Sequence, residues 1–73
     1  MKYRIQDIIE YTIASINEFA KRFNLTEREA YRYLNFHNAL SFIEKNYGII
    51  HTLDFDEAVD SLAMFCRKSG GKL

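Results

Sequence analysis

The feature that most restricts the fold of this 73-residue chain is the spacing of its apolar residues between Ile5 and Phe23. They recur every three or four positions, which places them on one stripe of a 3.6-residue helix, whereas a strand would require strict alternation. Asp7 lies in the first half of the segment and two basic residues lie in its last turn, as the helix macrodipole favours. The pattern predicts a first helix over 5–23, with Ile13 among the residues that face the core.

The chain after the first helix carries a complete helix-start signal. Thr26 can accept a hydrogen bond from the N–H of Glu29, and the Glu29 carboxylate can accept one from the N–H of Thr26. Asn24 tolerates a left-handed conformation and is predicted to end the first helix. A second helix is therefore predicted over Glu27–Leu34, with Asn35 as the break that follows it.

A third helix is predicted over His37–Asn46 by a further apolar stripe at helical spacing. Gly48 is placed for the left-handed position that often ends a helix. The segment Ile49–Leu53 is then predicted to be a short extended connector. Because Asn35 is a weaker stop signal than Gly48, the second and third helices could also run together with a kink.

Asp54 is predicted to cap the fourth helix, with Glu57 three residues later as in a capping box. Basic residues close this helix at Lys68, before the run Ser69-Gly70-Gly71. The absence of proline and the count of three glycines agree with helices joined by short turns. The predicted fold is an all-α, compact bundle of four helices with short loops, in a single domain over 1–73.

Composition limits the classes of function. Ten basic and ten acidic residues cancel, which argues against a nucleic-acid binder with the usual basic surface. A lone Cys66 excludes an internal disulfide and predicts a reducing compartment. No apolar run approaches the ~18 residues of a membrane span, and no signal peptide is visible, so the expected location is the cytoplasm. A chain this short has a small core, so self-association or a protein partner is expected.

The aromatic content, five Tyr and six Phe, exceeds what the predicted inner stripes accommodate. Four large side chains lie about 105–160° around their helices from the stripe centres, namely Tyr11, Tyr33, Phe42 and Met64. Tyrosine is a favoured anchor in interfaces because it buries a large area at little entropic cost. These four residues are the predicted partner-binding residues.

The sequence contains no pattern typical of catalysis or metal binding. His51 could act as an acid, a base or a ligand, but the favoured interpretation is a ring that hydrogen-bonds the backbone between two helices. Cys66 shares the inward stripe of the last helix, which favours a buried, inert thiol. The acidic run 54–60 lacks the glycine and ligand spacing of a calcium loop. No catalytic residue, metal site or cofactor is predicted, and the chain is expected not to be an enzyme.

A small DNA-binding helix-turn-helix regulator is the alternative function. The second and third helices are short and joined by a tight turn, and the third would present His37, Asn38, Ser41 and Lys45 to base edges. A helix with one basic residue in a chain of zero net charge offers few phosphate contacts. A protein-interaction module is therefore the preferred function.

The segments Tyr47–Leu53 and Asp56–Leu62 resemble a family of short bacterial helical proteins known as domain of unknown function thirty-seven ninety-one. The segment Leu25–Leu34 and the closing pair Gly70-Gly71 also fit, so the likeness covers nearly the whole chain. The resemblance implies a compact helical protein with an antitoxin-like or accessory role beside a neighbouring ADP-ribosyltransferase-like toxin. It implies no catalytic residue, and it marks His51 and Thr52 as signature residues of unknown role.

Overall fold

The structure, a computed structural model, describes residues 3–73. This part of the chain forms five α-helices and no strand. In chain order α1 to α5 span Ile5–Phe23, Glu27–Phe36, Ala39–Lys45, Tyr47–Ile50 and Phe55–Lys68. The predicted all-α class and compact arrangement are confirmed, with principal extents of 33 × 22 × 20 Å.

Helix α1 has the predicted bounds and ends as predicted. Asn24 adopts a left-handed conformation with φ of 56°. The N–H of Leu25 donates to the carbonyl of Ala20 over 2.8 Å, which satisfies one of the carbonyls that a helix end leaves open. The chain turns back at this point, so that α2 packs along α1.

Helix α2 begins with the predicted capping box. The N–H of Glu29 donates to Thr26 Oγ1 over 3.1 Å, and the N–H of Thr26 donates to Glu29 Oε1 over 2.8 Å. The helix then continues two residues further than predicted, to Phe36, so the predicted break at Asn35 is wrong. The left-handed residue is Asn38, with φ of 62°, and it separates α2 from α3. Both asparagines tolerate this conformation, so residue type alone could not select between them.

Two predictions for the middle of the chain are wrong. Helix α3 ends at Lys45, and the segment predicted to be extended instead lies largely within or just after the short helix α4. Gly48 lies inside α4 and does not end a helix in a left-handed conformation. A Cβ atom at Gly48 would lie 3.3 Å from the ring of Tyr3. Glycine therefore permits a close contact between α4 and this ring, a tertiary requirement that local signals do not carry.

Helix α5 starts as predicted, because Asp54 Oδ1 accepts a hydrogen bond from the N–H of Glu57 over 2.9 Å. After α5 the chain reverses at Gly70, which has φ of 97° and so favours glycine. The N–H of Leu73 then donates to Tyr33 Oη over 3.1 Å. The last residues therefore pack against α2.

The core lies where α1, α2, α3 and α5 meet, and its large fully buried side chains include Phe19, Leu34, Ile43 and Leu62. The face of α1 that packs on this core is rotated by roughly 40° from the predicted stripe. As a result Ile5, Ile9 and Ile13 are 64, 53 and 53% exposed, and the assignment of Ile13 to the core is wrong. Helix α2 spans about 15 Å and α1 about 28 Å, so α2 covers only part of α1.

Candidate protein-interaction site

The four residues predicted to bind a partner lie in different parts of the fold. Tyr11 and Tyr33 pack against the core, whereas Phe42 and Met64 line one surface groove. The prediction that these side chains face away from the core is wrong for both tyrosines and for Phe42, which is half-buried. It is correct for Met64, which is 55% exposed. Their role in partner binding stays a prediction.

Tyr11 joins α1 to the segments around α4. Its hydroxyl donates to the carbonyl of Ile50 over 3.0 Å. Its ring stacks on Phe55 and meets Tyr47 edge-on, each with a centroid distance of 5.6 Å. Burial raises the pKa of the Tyr11 hydroxyl. The ring and the hydroxyl of Tyr11 are therefore both engaged in contacts within the fold.

Tyr33 covers another part of the core. Its ring stacks on Phe19 at 5.8 Å and meets His37 edge-on at 4.7 Å. Its hydroxyl accepts the hydrogen bond from Leu73 described above. Tyr33 therefore holds the last residues of the chain against α2, and it too is engaged within the fold.

The groove runs between α3 and α4 on one side and α5 on the other, and is called the α3–α5 groove below. It consists of two adjoining cavities of about 110 and 210 Å³, which share Phe42 and Ser61. The other lining residues are Asn46, Ile49, Ile50, Leu53, Met64, Phe65 and Lys68. The half-buried rings of Phe42 and Phe65, 4.4 Å apart, lie at its base. Ile49, 72% exposed, and Met64 stand at its edges.

Charged side chains flank this apolar surface. Lys68 lines the groove on α5, and Lys45 lies one turn after Phe42 on α3. Neither lysine forms an ion pair with any residue between 3 and 73. Glu57 lies on the same strip of α5, one turn before Ser61. The surface around the groove thus carries two ammonium groups and one carboxylate, and it suits an apolar segment whose own carboxylates lie toward the lysines.

The signature residues His51 and Thr52 close the end of α4. His51 Nδ1 lies 2.5 Å from the carbonyl oxygen of Tyr47, so this nitrogen carries the proton. The His51 ring also stacks on the Tyr47 ring at 4.5 Å. Thr52 Oγ1 donates to the carbonyl of Ile49 over 2.6 Å. Both side chains therefore add a second hydrogen bond to carbonyls that already accept a backbone N–H, which agrees with the backbone-bonding interpretation of His51.

His37 and Ser69 form a pair that was not predicted. His37 Nδ1 lies 2.7 Å from Ser69 Oγ, and the Ser69 hydroxyl donates to the carbonyl of Cys66 over 3.0 Å. Because serine has one hydroxyl proton, the histidine nitrogen must be the donor in the first contact. His37 is thus a donor toward Ser69 and not a base that could activate it. The pair links the α2–α3 joint to the end of α5.

A second exposed apolar feature was not predicted either. Ile5, Ile9 and Ile13 recur every four residues and form a ridge about 12 Å long, called the α1 ridge below. Glu10 lies beside it, and its carboxylate accepts a 3.3 Å hydrogen bond from Gln6. The sequence signal that could have revealed the ridge is helix length, because a second helix of eight to ten residues cannot cover a first helix of nineteen.

A further cavity, of about 590 Å³, lies at the joint between α1 and α2 and is open to solvent. Polar residues contribute about half of its lining, namely Asn17, Lys21, Asn24 and Glu27, and Ala20 and Leu25 also line it. Binding pockets are usually lined mainly by apolar groups, as the α3–α5 groove is, so the groove is the stronger candidate for an interaction site.

The Cys66 thiol and two carboxylates of the acidic run, which could in principle take part in catalysis or metal binding, are buried or paired. Burial raises the pKa of the Cys66 thiol to about 11. In the acidic run, Asp60 and Asp56 pair with Arg22 of α1 at 2.6 and 3.5 Å. Among the described residues 3–73, no three His, Cys, Asp or Glu side chains are grouped to hold a metal ion. None of the helices in this range has the length and apolar content to cross a membrane.

A family model described as protein of unknown function, DUF3791, matches residues 10–69. The chain belongs to this family. The family expected from the resemblance is therefore confirmed. The DUF3791 match extends over the α3–α5 groove and the His51-Thr52 pair. No curated protein and no solved structure matches this DUF3791 chain.

Proposed function

We propose that this DUF3791 protein is a non-enzymatic, cytoplasmic interaction module whose α3–α5 groove binds a helix of a partner protein. The proposed partner is an ADP-ribosyltransferase-like toxin encoded by a neighbouring gene, toward which the chain acts as an antitoxin or accessory protein. The observation that carries the proposal is the groove itself. Met64 and Ile49 are exposed beside the ring of Phe42, and contiguous exposed apolar surface is typical of interaction sites.

A helix is the partner element that suits this groove. The α5 side extends about 11 Å from Ser61 to Lys68, which equals two helical turns. A helix with apolar residues at positions i, i+4 and i+7 would place its anchors over this length. Acidic residues beside those anchors would meet Lys45 and Lys68.

The proposal of a non-enzymatic role has support from the one histidine–serine contact among the described residues. A nucleophilic serine requires a base that accepts its proton. Here the Ser69 proton is directed to the carbonyl of Cys66 and His37 is the donor, which is the reverse arrangement. The contact therefore supports a structural role for both residues.

The experiment is co-expression with the product of the neighbouring toxin-like gene, followed by co-purification. Wild-type chain should retain the toxin, and Met64→Lys should lower the affinity by about thirtyfold, as for loss of an interface anchor worth ~2 kcal/mol. Phe36→Lys is the matched control, because Phe36 is 79% exposed at the end of α2, outside the groove. Retention of the toxin by both Met64→Lys and Ile49→Lys would contradict the groove as its binding site.

The same preparation tests the alternative of a DNA-binding regulator. His37 is 7% exposed and bonded to Ser69, so the surface available to read bases is smaller than the sequence suggests. DNA binding predicts dependence on Arg28, Arg32 and Lys45, with affinity that falls steeply as salt rises. The alternative would be favoured if the protein bound DNA with that dependence on basic residues and salt and did not retain the toxin.

A further inference from the structure

The α1 ridge and the α3–α5 groove are two exposed apolar features of one chain, and one is convex where the other is concave. We propose that the α1 ridge of one copy occupies the α3–α5 groove of a second copy, so that the purified protein associates head to tail. The ridge is a helical strip of three isoleucines, and apolar anchors at this spacing are how amphipathic helices enter grooves. This inference does not depend on the identity of any toxin partner.

The dimensions of the two features agree. Ile5 and Ile13 lie about 12 Å apart along α1, and Ser61 and Lys68 lie about 11 Å apart along α5. Three isoleucine side chains one turn apart can therefore contact the groove along its length. The central residue, Ile9, would lie between Phe42 and Met64.

Glu10 beside the ridge and the two lysines beside the groove are opposite in sign. Glu10, exposed beside Ile9, forms no ion pair within residues 3–73. Lys68 lines the groove on α5 and Lys45 is exposed one turn after Phe42 on α3, whereas Glu57 lies on α5 one turn before Ser61, so Glu10 would be placed toward the lysines and away from Glu57. Pairing of two ridges would instead bring the two Glu10 carboxylates near each other without a cation. Charge therefore favours the ridge-to-groove contact over the ridge-to-ridge contact.

The surface area that the ridge-to-groove contact would bury indicates a weak association. The exposed fractions of the ridge isoleucines and of Ile49 and Met64 correspond to on the order of 600 Å² of buried surface over both copies. A stable interface usually exceeds roughly 1,000 Å². Because the contact joins two different surfaces, an open series of copies keeps one free ridge and one free groove at its ends. The expected behaviour is a reversible, concentration-dependent series of oligomers.

The test is sedimentation equilibrium of the full chain from about 10 μM to about 1 mM, a range chosen for a weak complex. Wild-type mass should rise with concentration. Ile9→Lys removes the ridge and Met64→Lys removes the groove, and each variant alone should remain a monomer. Their equimolar mixture should form a dimer and nothing larger, because one variant supplies an intact groove and the other an intact ridge.

Two outcomes overturn the proposal. One is a wild-type chain that stays monomeric over the whole range. The other is an associating wild type whose variants do not behave as a complementary pair: either Met64→Lys alone still forms dimers, as a ridge-to-ridge contact predicts, or the mixture gives no dimer. Thermal melts check that both variants fold, and Ile13→Lys with Ile49→Lys provides a second pair. Ile9→Lys should lose self-association and keep the toxin, which separates this inference from the proposed function.

Discussion

The orientation of α1 can be tested at Tyr11, where sequence and structure disagree. Tyr11→Phe removes the hydroxyl that donates to the carbonyl of Ile50 and keeps the ring contacts. That carbonyl retains a second hydrogen bond, from the N–H of Leu53 at 3.1 Å, so no buried acceptor is left unpaired. The expected loss is therefore about 1 kcal/mol, the net value of one hydrogen bond. Tyr11→Ala also removes a half-buried ring, and its expected cost is about 2–4 kcal/mol.

The assay is urea and thermal unfolding followed by circular dichroism. In a domain of this size each kcal/mol lowers the melting temperature by about 4–8 °C, so the two Tyr11 variants should be well separated. Tyr31, 49% exposed on α2, is the matched control, and Tyr31→Phe and Tyr31→Ala should stay within about ±0.5 kcal/mol. If Tyr11→Ala costs no more than Tyr31→Ala, the Tyr11 ring does not pack on the fold and the predicted orientation of α1 is right.

Three further predictions concern single side chains. Thr26→Ala should lower the free energy of unfolding by about 1 kcal/mol, because it removes the bonded cap of α2, and an unchanged melt would show that packing alone holds that helix. Ser15→Ala should raise stability by about 0.5–1 kcal/mol in the same melts, since the buried Ser15 hydroxyl lies beside Tyr11 but makes no hydrogen bond of ordinary geometry among residues 3–73; a loss would show that the two hydroxyls are bonded. Burial raises the pKa of Cys66 from 9.0 to about 11, so the unfolded chain ionises first. The contribution of the Cys66 thiol to the free energy of unfolding should therefore be constant below pH 9 and decrease toward pH 11. The free energy of unfolding of Cys66→Ala, measured over the same pH range, should lack this decrease.

The candidate site was only partly predictable. Met64 was correctly placed on the exposed side of α5. The apolar stripe that predicted the inner face of this helix includes Cys66, which is buried in the structure. Phe42 was assigned to the outer side of α3 but lies half-buried at the base of the groove. The groove needs two helices to form its walls, and no local pattern states that α3 packs beside α5. The sequence did contain one indication of the groove. Glu57, Ser61, Met64 and Lys68 follow each other at helical spacing, which places a methionine between charged residues on one face of α5.

Tyr11 and Tyr33 were misplaced for a related reason. Their angles were measured from the centre of an apolar stripe, on the assumption that the whole stripe is buried. In α1 the stripe is wider than the surface that α2, α3 and α5 cover, so three isoleucines remain exposed while Tyr11 turns inward. The hydrogen bond from Tyr11 to Ile50 joins residues that lie 39 positions apart, and a helical pattern does not encode such a contact.

Local patterns were sufficient to place the start of most helices and to establish the all-α class. The caps at Thr26 and Asp54 and the left-handed end at Asn24 depend on hydrogen bonds between residues a few positions apart, so they can be recognised locally. The position of Gly48 inside α4, the exposed α1 ridge and the α3–α5 groove became evident in the folded chain alone. These features depend on which surfaces meet across the fold, because burial is set by long-range packing and not by the order of neighbouring residues.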